Sequence, residues 1–102
     1  MLFRSHSGPP PGTHLIDATL PDGTYLTDAF RTAGNQFTLL RHGTGPDLPT
    51  IPTIDISFAP GYDTTPGDAY LLRPDGYVAA RLRNADTPRL TAALTRAQGH
   101  PP

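Results

Sequence analysis

The chain contains no cysteine. That absence excludes disulfides, thiolate metal sites and every thiol-based mechanism within these residues. Long apolar runs are missing as well: no stretch approaches the ~20 residues that cross a bilayer, and the opening "MLFRSHSG" lacks the apolar core of a secretory leader. Nor is there an excess of charge of one sign. The formal net charge is −1, the eight basic residues are all arginine, and none of them cluster beyond "RLR" at 81–83. No global field therefore draws in nucleic acid. These absences together lead to the expectation of a soluble, cytoplasmic chain with neither nucleic-acid nor membrane partners.

What is present is turn-forming residue. Thirteen prolines and ten glycines stand among 102 residues, against a hydrophobic content of 36% and a charged content of 17%. A chain of this length makes one domain that buries roughly two thirds of its unfolded surface, built here from short elements and long loops. Proline concentrates in "GPPPG" near Gly8, in "GPDLPTIP" at mid-chain and in "GHPP" at the end. The expected division is a proline-rich lead-in over 1–12, one folded domain over 13–98 and a tail over 99–102.

Between the proline-rich stretches lie periodic segments. "HLIDATL" (14–20) alternates in the manner of a half-buried strand and ends at the turn Pro21-Asp22-Gly23. A short helix is expected over "TDAFRTAG", with Thr27 as N-cap, Asp28 in the first turn and Gly34 as the stop. "QFTLLRH" (36–42) and "TIDISF" (53–58) are apolar runs of β-formers that read as strands buried on both faces. They are joined by a Gly- and Pro-rich stretch long enough for a parallel crossover. "DAYLLRPDGYVAARL" (68–82) reads as a hairpin closed by a type I turn at Arg73-Pro74-Asp75-Gly76, with the glycine in the left-handed position. Tyr70 and Leu72 are expected on one face, Ala69 and Leu71 on the other, with Val78, Ala80 and Leu82 repeating the alternation. The last element is the clearest helix: Thr87 as cap, Pro88 in the first turn, Leu90, Ala93, Leu94 and Ala97 on one face, and Gly99 beyond the end. The fold class is α/β, a mixed sheet with a C-terminal antiparallel hairpin and a packed C-terminal helix.

Reactive constellations are sparse. His6, His14, His42 and His100 show no metal-ligand spacing. His14 with Asp17, or His42 with Asp47, can be drawn as acid/base pairs, but neither sets up a nucleophile. "HGTGPD" has two glycines without the spacing of a phosphate loop. Arg73, Arg81 and Arg83 flank the hairpin, either as an anion fork or as a solvated edge that resists aggregation. Tyr25, Tyr62, Tyr70 and Tyr77 are either interface anchors or core tyrosines. No catalytic, cofactor-binding or metal residue is assigned, and the candidate interface is Tyr70, Arg73, Tyr77 and Arg81.

In order and spacing, "PGTHLIDATLPDGTYLTDAF", "FTLLRHG" and "AYLLRPDGYVAARL" together resemble the C-terminal domain of class A FAD-dependent aromatic-ring hydroxylases, the phenol hydroxylase-like and polyketide-tailoring monooxygenases. The matching positions are Pro11-Gly12, Leu20 to Phe30, Phe37 to Leu40 and Leu72 to Arg81, with Phe3 to Ser5 similar to the segment that often precedes the domain. Ala80 stands where that family often has tryptophan, and the region between the second and third strands is short. The resemblance implies a thioredoxin-like fold without its redox chemistry. That chemistry needs a Cys-x-x-Cys after the central strand, where this chain has residues around His42 to Pro46. It also implies that FAD and NAD(P)H belong to a parent or partner enzyme, that this chain packs against the FAD and substrate domains, and that a homodimer is possible. The chain is then an excised domain or a small stand-alone relative. Two alternatives stay open: an independent binding module associated with an oxygenase, and a cofactor-free enzyme using His14 or His42.

Overall fold

The structure, a computed structural model, describes residues 8–43, 45, 47–57, 59–62 and 64–99. Expectations for residues 3–5, His6, Pro46, Phe58, His100 and the end of the tail lie outside them. In chain order the elements are α1 (Leu26–Thr32), β1 (Thr38–Arg41), β2 (Thr53–Asp55), β3 (Ala69–Leu72), β4 (Val78–Leu82) and α2 (Thr87–Ala97). The strands form one mixed sheet in the order β2-β1-β3-β4. β1 runs parallel to β2 and antiparallel to β3, and β3 is antiparallel to β4. No helix among the described residues is long and apolar enough to cross a membrane.

β1 is central and buries Thr38, Leu39 and Leu40 completely. The parallel crossover is present: Leu39 N donates to Pro52 O at 2.9 Å and Ile56 N to Arg41 O at 2.9 Å. Burial on both faces does not extend to β2. It is an outer strand with Thr53 and Asp55 exposed, and full burial returns only at Ile56. An apolar run cannot tell an inner strand from an outer one when the neighbour that decides it comes from elsewhere in the sequence.

The hairpin forms as its turn residues dictate. Gly76 N donates to Arg73 O and Arg73 N to Tyr77 O, both at 2.8 Å, and Gly76 has φ +86. The alternation expected through β4 is reset, however. Val78 pairs with Leu72 but Ala80 pairs with Leu71, which leaves Ala79 as the extra residue of a bulge. Val78 therefore joins Tyr70 and Leu72 on one face, whereas Ala80 and Leu82 pack with Leu71 on the other.

Each face of the sheet has its own cover. Tyr70, Leu72, Leu40 and Val78 pack against Leu26 and Phe30 of α1 and against Leu15, Ala18, Leu20 and Tyr62 from loops. Leu39, Leu71 and Leu82 pack against Leu90, Ala93 and Leu94 of α2. The helix ends differ in detail from the sequence expectation. Tyr25, not Thr27, is the N-cap of α1 and offers no side-chain bond; instead the Asp17 carboxylate accepts from Thr27 N at 2.9 Å. Asp86, not Thr87, caps α2 by accepting from Arg89 N at 2.8 Å. At the end of α1, Gly34 N bonds Arg31 O and Asn35 N bonds Phe30 O, the paired closure in which a left-handed Gly34 (φ +98) ends a helix.

Residues 14–20 are not a strand. Only His14 and Thr19 form isolated bridges, to Tyr77 and Tyr25. The Tyr62 hydroxyl donates to Ile16 O at 2.6 Å and accepts from Ile16 N at 2.9 Å, while Asp17 accepts from Ala18 N. Side chains thus occupy backbone groups that a ladder would have used. Just before this segment the chain closes onto the start of β4, with Gly12 N to Val78 O, Val78 N to Thr13 O and Leu15 N to Gly76 O, each at 2.8 Å. Gly8 and Pro9 are buried, and a Cβ on Gly8 would overlap the Tyr70 hydroxyl and the Tyr62 carbonyl.

Candidate docking groove between β4 and α2

The hairpin residues singled out from sequence separate into different environments. Tyr70 is 2% exposed, stacks edge-on against Tyr62 at 5.2 Å and donates its hydroxyl to Tyr62 O at 2.9 Å, so its ring belongs to the core. Tyr77 is 41% exposed at the turn, where it meets His14 edge-on at 5.1 Å and lies 5.9 Å below the Arg73 guanidinium. Arg73 also pairs with Asp75 at 2.5 Å. Arg81 donates from Nη1 to Gly8 O at 2.9 Å, tying the N-terminal segment to β4. Tyr25 is exposed, and burial pushes the Tyr62 hydroxyl well above the usual tyrosine range.

The other weighed residues, Arg83, His42 and His14, have structural partners. Asp68, 4% exposed, accepts from Thr65 N, Asn84 N and Arg83 Nη1, the last at 2.6 Å. Burial pushes its carboxyl up, but the Thr65 and Asn84 amides and the Arg83 guanidinium outweigh that and hold it below the usual value. Arg83 is thus engaged at the end of β4, apart from Arg73. The His42 Nδ1 lies 2.8 Å from Thr64 Oγ1, and His14 Nδ1 lies 3.1 Å from Leu15 O. The two histidines stand on different partners, and the hydroxyl beside His42 is that of Thr64. Among the described residues no cluster of His, Asp or Glu could hold a metal ion.

What the fold does bring together is arginine around a shallow groove. The bulge turns Ala79 and Ala80 toward α2, whose facing residues are Ala93 and Ala97, and so little side chain fills the space between strand and helix. Two adjoining hollows of about 310 and 270 Å³ result, sharing Ala80, Ala93 and Arg96. Arg73 and Arg96 rim the first; Arg81, Arg89 and Arg96 rim the second. Among the described residues no acidic side chain lines either hollow. Arg73 and Arg81 were visible in the hairpin, but Arg89 and Arg96 were not singled out. Their signal was seven-residue spacing on one helix, which stacks side chains on one face, and only the bulge shows which strand that face meets.

Comparison with known proteins follows the same stretch of chain. The family model for the C-terminal region of aromatic-ring hydroxylases matches residues 8–101. A curated protein named flavin-dependent monooxygenase from Mycobacteroides abscessus is 34% identical over 77 residues, which is 74% of this chain and 16% of that protein. The chain therefore spans about a sixth of that relative's length. No solved structure matches. With its match running from the buried Gly8 through the sheet to the end of α2, the chain belongs to the aromatic-ring hydroxylase C-terminal domain family.

Proposed function

We propose that this chain is a non-catalytic assembly domain of an FAD-dependent aromatic monooxygenase. The observation that carries the reading is the family match across residues 8–101 in a chain with no cysteine. The strand order β2-β1-β3-β4, with β1 and β2 parallel and β3 reversed, supports a thioredoxin-like ancestry. A thioredoxin scaffold without a Cys pair retains packing surfaces and no dithiol chemistry.

Flavin binding belongs, in this reading, to the larger enzyme. The residues here do not suit FAD: no dinucleotide fingerprint follows a strand, and the hollows of 270–330 Å³ sit at the small end of the roughly 300–1,000 Å³ used for small ligands. NAD(P)H is assigned to the same body on the same grounds. Cytoplasmic placement is part of the proposal, and so is a homodimer of the assembled enzyme, which the resemblance carries. The test is gel filtration of the purified chain after incubation with FAD. The chain is expected to elute colourless, and flavin absorbance travelling with it overturns the reading. Light scattering on the same run reports whether the mass is that of the 10.9 kDa chain or of its dimer.

A further inference from the structure

We infer that the groove between β4 and α2 receives an acidic segment of the hydroxylase body, its carboxylates directed at Arg73, Arg81, Arg89 and Arg96. The inference rests on the reading of this chain as an accessory domain and adds the surface and the chemistry of its partner.

Charge segregation is the first support. Four of the chain's eight cations rim two adjoining hollows that, among the described residues, no acidic side chain lines, although the whole chain carries a net charge of −1. Among the described residues Arg96, which borders both hollows, makes no ion pair, and Arg81 engages only a backbone carbonyl. Arg73 pairs with Asp75 and Arg89 lies 3.9 Å from Asp86, with both side chains of each pair close to half-exposed, while the Arg89 Nη1 also donates to Arg83 O and Asn84 O at 3.0 Å. Such pairs are weak and exchange readily for a better-placed carboxylate.

The floor supplies the second support. Ala80 and Ala93 present small apolar surface between the guanidiniums. A carboxylate seated there loses water on one side, which strengthens its attraction to planar guanidiniums that can meet it bidentately. The flavin-dependent monooxygenase relative carries most of its length outside the matched region, where such an acidic segment can lie.

The probe is a set of short overlapping peptides covering that Mycobacteroides abscessus protein outside the matched residues, titrated against the labelled full chain. Captured peptides are expected to be Asp/Glu-rich. Exchange of their carboxylates for amides should abolish capture, and Arg73→Glu/Arg96→Glu should weaken it roughly tenfold. Arg73→Gln/Arg96→Gln should weaken it in the same direction, and Arg31→Glu on α1 should leave it unchanged. Amide NMR spectra confirm that each variant is folded. Capture indifferent to the carboxylates or to Arg73 and Arg96 overturns the inference. So does no capture at all, while the assembly reading continues to stand or fall by the flavin experiment. Tighter, Arg96-dependent binding of phosphatidylglycerol vesicles or of an RNA hairpin overturns the choice of occupant.

Discussion

Asp17 does the work of a helix cap from outside the helix. Its carboxylate accepts from Ala18 N at 3.0 Å and from Thr27 N at 2.9 Å, ten residues away, at the start of α1 where Tyr25 offers no side-chain bond. The Thr27 amide is the main reason its carboxyl sits below the usual 3.8, since hydrogen bonds to the charged form favour that form. Replacement by alanine leaves an amide of the first turn without its partner, and Asp17→Ala is expected to lower stability by about 1 kcal/mol. Asn retains an acceptor oxygen at the same place, so Asp17→Asn should cost less. Urea unfolding of the two variants checks the order. Equal losses would mean that the charge, rather than the hydrogen bond, carries the effect.

At the scale of elements, legibility followed the range of the cause. The 73–76 turn and the apolar face of α2 were readable because their determinants lie within a few residues: Pro74 and Gly76 for the turn, Leu90, Ala93 and Leu94 for the helix. Segment 14–20 was misread as a strand because what holds it is a hydroxyl forty-six residues away, on Tyr62. The bulge at Ala79 was invisible too, since an extra residue in β4 is defined only against β3. The groove depended on that bulge and remained hidden with it. Even the readable turn has a distant constraint: a Cβ on Gly76 would lie 2.8 Å from His14 Nε2. Gly76→Ala should therefore cost about 1–3 kcal/mol from the left-handed backbone, plus a share from the collision. Combining it with His14→Ala should remove the collision and leave the backbone part. A double-mutant cycle from thermal unfolding separates the two, and strict additivity would show that His14 yields without cost.

For the whole molecule, the two apolar clusters lie on opposite faces of one thin sheet, so polar ties between separate stretches of chain help make it a single cooperative unit. Several of those ties are aspartates. Asp17 joins the first loop to α1, Asp55 holds Gly43 N and Ser57 beyond the paired ends of β1 and β2, and Asp68 links the start of β3 to Arg83 and Asn84 after β4. The Ser57 hydroxyl is the largest influence lowering Asp55, and Asp17 and Asp68 are lowered as described above. A carboxyl depressed in the folded state contributes stability in full above its unfolded value, here 3.8, and loses it as pH falls through the lower folded value. The melting temperature should accordingly be level on the neutral side of 3.8 and decline below it in a single transition. Asp68→Asn should lower stability at neutral pH by about 2 kcal/mol, because hydrogen bonds to a charged group are lost. The same variant should also flatten the acid decline, since one of the groups being titrated is gone. A variant that loses stability at neutral pH yet keeps the full acid slope would place the acid sensitivity in other carboxylates and remove Asp68 from the account.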